Sequence, residues 1–131
     1  VKDLRGIYST VIVEGIGGLA VPVAHDYMVS DMARDVGLPL IVVASTTLGT
    51  INHTLLTTWH AKSEGLEVAG VILCQHRPAE GTIAERTNPA ILEELLEVPL
   101  LGVFPYMKDK KPETLARAAE DALDIGSLFK L

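Results

Sequence analysis

The sequence predicts an α/β protein built on a doubly wound parallel sheet, and three observations carry this prediction. Short apolar runs alternate along the chain with longer segments whose apolar residues recur at helical spacing. The connections between them are short, as in right-handed strand-helix-strand units. The composition is 48% hydrophobic but only 5% aromatic, which favours an aliphatic core of parallel strands covered by helices on both faces.

The first predicted strand is residues 9–13 (STVIV), a β-branched run that stops at Glu14 and a cluster of glycines. Asp26 is expected to cap a helix that continues to about Val36 and ends at Gly37. The apolar stripe of this helix comprises Met28, Val29, Met32, Ala33 and Val36.

The second predicted strand is residues 38–44 (LPLIVVA), a continuous apolar run of the kind that is buried on both faces of a sheet. A helix over residues 50–63 follows, and Gly65 terminates it. Residues 68–73 (VAGVIL) form the third predicted strand.

A polar loop over residues 75–82 leads to a helix that runs to about Glu97. Asn88 and Pro89 either open this helix or restart it, because proline suits a first helical turn and breaks an interior one. Residues 99–104 (PLLGVF) form the fourth predicted strand. A last amphipathic helix begins at Pro112, with an apolar side made of Leu115, Ala118, Ala119 and Ala122.

The chain of 131 residues suits one compact domain over its whole length, and its charge excludes several functions. A formal charge of −6 without a basic run argues against nucleic acid as a partner. No apolar run approaches the length of a membrane span, so the expected location is cytoplasmic. The single Cys74 has no partner within the chain for a disulfide, and no Cys/His spacing indicates zinc.

Ligands of doubly wound sheets bind at the carboxyl ends of the strands, so four segments are the candidate site: residues 14–18, 45–52, 74–77 and 105–111. Glu14 follows a predicted strand and precedes a backbone stripped of side chains, an arrangement that can hold magnesium and admit a phosphoryl group. Gly49 and Thr50 open a helix directly after a strand, where free amides and the helix dipole attract a carboxylate or phosphate. The sequence GxxxxGK[ST] of a triphosphate-binding loop does not occur.

Taken together, four segments resemble dethiobiotin synthetase in the order and spacing of that family. They are residues 11–23 (VIVEGIGGLAVPV), 38–57 (LPLIVVASTTLGTINHTLLT), 65–73 (GLEVAGVIL) and 98–105 (VPLLGVFP). The resemblance implies a sheet of the P-loop NTPase type that is incomplete here because the amino-terminal P-loop strand is absent. The 131 residues would then be the carboxyl-terminal part of such an enzyme, which would need its amino-terminal half for activity.

The family closes the ureido ring of dethiobiotin in the biosynthesis of biotin. Carbon dioxide adds to one amine of 7,8-diaminononanoate, ATP phosphorylates the carbamate, and the second amine attacks the mixed anhydride. The resemblance therefore implies an ATP-dependent ligase that uses magnesium and works as a homodimer. It also implies that the 131 residues alone are inactive.

The resemblance assigns roles to the glycine turn and to the helix start. Glu14 is the expected magnesium ligand and, with Gly17 and Gly18, forms the expected catalytic set, while the backbone of Gly15 and Ile16 lies along the phosphates. The expected substrate-binding residues are Gly49, Thr50, Asn52 and Asn88. In the family the helix start receives the distal carboxylate of a substrate bound to the neighbouring subunit.

The nucleotide base is expected to contact the loop after the fourth strand, at Pro105, Tyr106 and Met107, and also Glu113. Cys74 and Gln75 stand where the family commonly has Asn followed by Asp to read the adenine edge, which predicts loose selection among nucleotides. Two alternatives remain open on the sequence. One is a cobyrinic acid diamide synthase-like ATPase of the same fold, and the other is a degenerate module that binds a nucleotide or a partner without catalysis.

Overall fold

A computed structural model describes residues 1–15 and 17–129. Its helices are α1 (Lys2–Arg5), α2 (Val29–Val36), α3 (Thr50–Ser63), α4 (Ile83–Leu95) and α5 (Pro112–Ala122), followed by a 3₁₀ turn (Ile125–Phe129). Its strands are β1 (Pro22–Ala24), β2 (Tyr27–Met28), β3 (Leu40–Ser45), β4 (Val68–Cys74) and β5 (Leu100–Phe104). None of the helices in the described ranges combines the length and apolar character that a membrane span requires.

The predicted fold class is confirmed, because β3, β4 and β5 form a parallel three-stranded sheet in that order, with helices as the connections. Helix α3 packs on β3 and β4, α4 packs on α3 and β5, and α5 returns onto β5. The predicted bounds of α3 and of the strand at residues 68–73 agree with the structure to within one residue. The loop before α3, the glycine that terminates it and the apolar run of β4 are local signals, so these bounds could be predicted from the sequence.

Helix α4 is continuous through Pro89, so neither predicted break at Asn88 and Pro89 is correct. The helix begins instead at a capping box in which Thr82 accepts from the Glu85 amide and the Glu85 carboxylate accepts from the Thr82 amide. Pro89 removes one interior hydrogen bond, and the cap stabilises the turn that precedes it.

The end of α5 approaches β5 so closely that only glycine is tolerated at Gly102. A Cβ atom built there would lie 2.2 Å from the Ala122 carbonyl oxygen, and the φ of Gly102 is +133°. The Asp124 amide donates to the Leu101 carbonyl at 2.7 Å, which extends this contact beyond the helix. The glycine therefore sets the distance between the last helix and the sheet.

The strand predicted for residues 9–13 is wrong, since these residues have no regular secondary structure. Ile12 is 88% exposed and Val13 is 42% exposed. A strand needs a hydrogen-bonded neighbour, and none of the described strands pairs with this segment. The β-branched composition indicated a strand that has no pairing partner in the described part of the chain.

The helix expected to begin at Asp26 begins later, because an antiparallel hairpin of β1 and β2 occupies the preceding residues. Asp26 lies in the turn of this hairpin, and α2 starts at Val29. The Asp31 carboxylate accepts from the Met28 amide at 2.8 Å and serves the start of the helix. Gly37 ends α2 in the left-handed conformation, as predicted.

Strand β3 is not buried on both faces, so that part of the prediction is also wrong. Ile41 is 45% exposed and Val43 is 66% exposed, whereas Leu40, Val42 and Ala44 on the other face are half-buried. Helix α3 covers one face, and no described element covers Ile41 and Val43 on the opposite face.

The core is aliphatic, as the composition indicated. Its buried hydrophobic residues in the described ranges are Leu19, Val29, Ala61, Val71, Leu73, Leu92 and Leu101. Leu19 packs with Val29 and Ala61, so the glycine turn before Leu19 is attached to α2 and α3.

Candidate functional site

Three strands of the sheet end side by side, at the edge where the sequence predicts the ligand. Ser45 pairs with Cys74, and Cys74 pairs with Phe104, so the loops that follow β3, β4 and β5 leave the sheet together. Two of the predicted segments, residues 74–77 and 105–111, begin at this edge directly, and residues 45–52 include the start of α3. The register therefore brings three of the four candidate segments to one edge.

The start of α3 presents backbone donors. Gly49 adopts the left-handed conformation with φ +94°, and its carbonyl accepts the first helical hydrogen bond, from the His53 amide at 3.1 Å. The Ile51 and Asn52 amides have no acceptor within the residues that the structure describes. The Asn52 side chain is exposed beside them. A helix start with free amides and a side-chain amide suits a carboxylate.

Thr50 contributes differently from Asn52, although both were predicted to bind substrate. Its amide donates back to the Thr47 carbonyl at 3.2 Å, and its side chain is buried. The Thr50 hydroxyl lies 3.4 Å from that of Thr54 in the helix interior. The donors that face outwards at this helix start are therefore those of Ile51 and Asn52.

Asn88 lies on α4 and is only 5% exposed. Its side-chain nitrogen donates to the carbonyl oxygens of Thr46 and Thr47, both at 3.1 Å. The structure thus joins Asn88 to the loop that precedes α3, across more than forty positions of sequence. The sequence offered no signal for this partnership beyond the presence of a polar residue within a helix.

The loops after β4 and β5 are joined by Gln75. The Gln75 amide donates to the Phe104 carbonyl at 2.9 Å, and the Gln75 Oε1 atom accepts from the Tyr106 amide at 3.4 Å. Cys74, next to it, is half-buried and has a free thiol. The Lys110 ammonium lies 5.3 Å from the centre of the Tyr106 ring, within the range of a cation–π contact.

A cavity of about 310 Å³ opens between Met107 and one face of α5, and it is lined by Met107, Glu113, Thr114, Arg117, Ala118 and Asp121. Met107 and Glu113, both predicted to contact the nucleotide base, line the same cavity. Pro105 is half-buried in the loop that leads to Met107. Sequence reasoning missed Arg117 and Asp121, although the successive spacing of four residues from Glu113 to Arg117 and from Arg117 to Asp121 places all three on one helical face.

The glycine turn after Glu14 lies beside α2. Glu14 is exposed, and its carboxylate has no hydrogen-bond partner among the described residues. Gly15 is close to α2, since a Cβ atom there would lie 3.4 Å from a Val29 methyl group. Gly17 and Gly18 have φ values of +88° and +114°, which only glycine adopts readily. Ile16 lies outside the described residues.

Glu14 is the candidate magnesium ligand among the predicted site residues. The described residues contain no group of three or more His, Cys, Asp or Glu side chains that could hold a metal by themselves. Magnesium bound with nucleotides usually takes one or two carboxylates and completes its shell with phosphate and water oxygens. The exposed and unpaired Glu14 carboxylate meets that requirement.

Comparison with known proteins agrees with this architecture. The profile of a family described as AAA domain matches residues 2–114. The chain is 42% identical to the ATP-dependent dethiobiotin synthetase BioD of Thermodesulfovibrio yellowstonii over 137 residues, which cover 99% of this chain and 57% of the relative. It is 41% identical to BioD of Bacillus subtilis over 128 residues, which cover 96% of this chain and 54% of the relative.

A third relative, BioD of Bacillus cereus, is 47% identical over 121 residues, which cover 91% of this chain and 50% of the relative. The resemblance inferred from the motifs is confirmed by these matches. The chain spans about half the length of the curated relatives that it matches.

Proposed function

This chain belongs to the AAA domain family, and on that premise we propose that it is part of an ATP-dependent dethiobiotin synthetase. The observation that carries the proposal is the similarity to enzymes of that name at 38–47% identity over nearly the whole chain. The activity joins 7,8-diaminononanoate and carbon dioxide into the ureido ring of dethiobiotin. The order of the four motifs supports placing the chain in the carboxyl-terminal part of such an enzyme.

ATP would supply the phosphoryl group that activates the substrate carbamate, and magnesium would neutralise its phosphate oxygens. Glu14 is the proposed magnesium ligand, because its carboxylate is exposed and unpaired. The backbone from Gly15 to Gly18 is proposed to lie along the phosphates. A side chain at Gly17 or Gly18 would strain the left-handed conformation of this turn and obstruct that approach.

The start of α3 is the proposed site for the carboxylate of the diamine substrate. The free Ile51 and Asn52 amides and the Asn52 side chain supply donors, and the helix dipole favours a negative charge there. Gly49 allows the chain to turn sharply into the helix with φ +94°. The amines of the same substrate molecule are proposed to bind to the neighbouring subunit. The complete site therefore requires a homodimer.

The nucleotide base is proposed to occupy the cavity beside α5. Met107 and Ala118 supply apolar walls, and Glu113 supplies an acceptor for an exocyclic amine. Tyr106 and Pro105 form the loop that leads from β5 to this cavity. Gln75 holds the loop by accepting from the Tyr106 amide.

The proposal is tested by assaying the full protein that contains this chain with the diamine, ATP, magnesium and ¹³C-bicarbonate. Mass spectrometry is expected to detect dethiobiotin carrying one ¹³C atom, with one ADP formed per product. Omission of ATP, or chelation of magnesium, is expected to abolish the labelled product. ATP consumption without labelled dethiobiotin would contradict the proposal.

A further inference from the structure

The amide group of Asn88 is committed to the backbone of one loop. Its nitrogen has two hydrogens, and it donates to two carbonyl oxygens from consecutive residues, Thr46 and Thr47, at 3.1 Å each. The side chain is 5% exposed, and Thr46 is 2% exposed. Buried hydrogen bonds of this kind are costly to break because the carbonyls lose a partner that water does not replace.

The same loop is held at other points. The Thr47 carbonyl also accepts from the Thr50 amide at 3.2 Å, and the Thr47 amide donates to the Ser45 hydroxyl at 3.2 Å. The Thr46 and Thr47 carbonyls thus accept from Asn88 of α4, and the Thr47 carbonyl also accepts from the Thr50 amide. The Ile51 and Asn52 amides, one turn further on, are left free in the described part of the chain.

We propose that Asn88 is a positioning residue that orients the free amides of the α3 start toward the substrate carboxylate, an inference that rests on the proposed function. A direct contact between Asn88 and that carboxylate does not fit its geometry. Both amide hydrogens are used, and the remaining Oδ1 atom is an acceptor, which repels a carboxylate. Asn88 therefore acts on the substrate through the loop from Thr46 to Gly49.

The test compares substrate preference in the full protein for two substrates, 7,8-diaminononanoate and its terminal carboxamide. Asn88→Ala removes the donors, and Asn88→Asp keeps the shape but places an acceptor against two carbonyls. Both are expected to raise KM for the diamine carboxylate about tenfold, with kcat and the KM of ATP within about threefold. The carboxamide should be affected little, so the preference for the carboxylate should fall about tenfold.

Thr87→Ala is the matched control, because Thr87 is an exposed neighbour on α4 whose hydroxyl bonds only to its own helix. It is expected to keep the parent preference. Asn88→Ser, which is small and retains one donor, is expected to recover part of the preference for the carboxylate. It replaces the other variants in the test if they fail to fold. Equal losses with both substrates, or an unchanged preference, would overturn the inference.

A second measurement separates this inference from the proposed function. Hydrogen exchange of residues 46–54 without substrate is expected to accelerate about tenfold in Asn88→Ala and to stay at the parent rate in Thr87→Ala. Unchanged exchange would overturn the positioning role even in an active enzyme. Accelerated exchange in a protein that makes no dethiobiotin would reject the proposed function and leave the role of Asn88 in ordering the loop established.

Discussion

At the residue scale, the candidate site contains polar groups without a hydrogen-bond partner and polar groups that are already engaged. The Glu14 carboxylate and the Ile51 and Asn52 amides have no partner in the described part of the chain. By contrast, the Asn88 side chain donates to a backbone carbonyl of Thr46, and the Thr50 hydroxyl lies beside that of the buried Thr54. Unpaired exposed groups can bind a ligand without first breaking an internal hydrogen bond, so Glu14 and Asn52 are the residues at which substitution should affect function most directly.

Replacement of Glu14 tests its role as a metal ligand. Glu14→Gln in the full protein is expected to lower turnover by about a hundredfold, with KM for the diamine changed less than about threefold. The amide removes the negative charge with which Glu14 is proposed to bind magnesium as phosphoryl transfer proceeds. Steady-state kinetics over a magnesium titration provide the measurement.

The exposed Glu93 of α4 offers a matched control, since Glu93→Gln makes the same chemical change away from the site. It is expected to leave turnover unaltered. Unchanged turnover of Glu14→Gln at saturating magnesium would contradict the role of Glu14.

Cys74 leads to a prediction about the choice of nucleotide. A thiol hydrogen-bonds weakly, so we expect Cys74, which stands where the family has an amide, to discriminate little among bases. The preference for ATP over CTP and GTP in competition assays is expected to stay below about a hundredfold. Cys74→Asn should sharpen the preference, whereas His76→Ala, an exposed neighbour, should not.

At the scale of the element, we expect helix α4 to depend on its first turn, because Pro89 cannot donate a backbone hydrogen bond within the helix. The Glu85 carboxylate accepts from the Thr82 amide at 3.0 Å and from the Glu80 amide at 3.1 Å. These backbone donors, with Thr82 first, hold the pKa of Glu85 below its ordinary value of 4.5. We therefore expect the first turn of the helix that carries Asn88 to be sensitive to acid.

Thermal unfolding of Glu85→Ala across pH tests this cap. A carboxyl group whose pKa is lowered in the folded state stabilises the fold at pH values above its unfolded-state pKa, about 4.5. It loses that contribution as the pH falls through the folded-state pKa. The difference in Tm between the parent and Glu85→Ala is thus expected to be full at pH 7, to shrink below about pH 4.5 and to vanish in stronger acid.

Two variants refine this measurement. Thr82→Ala removes the reciprocal half of the cap and should cost about 1 kcal/mol of stability at pH 7. Glu94→Ala, an exposed change on the same helix, should show no comparable dependence on pH. A Tm difference for Glu85→Ala that stays constant from pH 7 to pH 3 would contradict the capping role.

At the scale of the whole molecule, one face of strand β3 is open. Ile41 and Val43 project from β3 with 45% and 66% of their surface exposed. Ile12, which precedes the glycine turn in the sequence, is 88% exposed. Within the described residues β3 pairs only with β4, so its other edge presents unpaired backbone groups. Exposed aliphatic surface beside an unpaired strand edge favours association with another chain.

We therefore expect the 131-residue chain by itself to associate rather than stay monomeric, and not to turn over ATP. Light scattering is expected to give the mass of a dimer or a larger species. Val43→Lys should weaken association about tenfold by placing a charge on the open face. Val23→Lys makes the same change on the exposed hairpin strand β1 and should have no such effect. A stable monomer, or magnesium-dependent ATPase activity of the chain alone, would contradict this prediction.

The meeting of three candidate segments at one edge of the sheet was predictable, because it follows from strand order. Parallel strands connected by helices bring their carboxyl ends to one edge, so the sequence alone places residues 45–52, 74–77 and 105–111 there. The pairing of Gln75 with Tyr106 and of Asn88 with Thr46 was not predictable. These contacts join residues 31 and 42 positions apart, and side-chain type carries no information about such partners.

The sequence by itself determined the α/β class, the positions of α3, β4, α4 and β5, and the resemblance to dethiobiotin synthetase, because periodicity, caps and motifs are local properties of the chain. Only the tertiary structure decided that residues 9–13 are not a strand, that β3 has one open face, and that Asn88 supports the loop before α3. The physical reason is that strand pairing and burial depend on a second segment, which the local sequence does not specify. A β-branched run without a neighbour has no hydrogen-bond partners, and an apolar strand is buried only where another element packs against it.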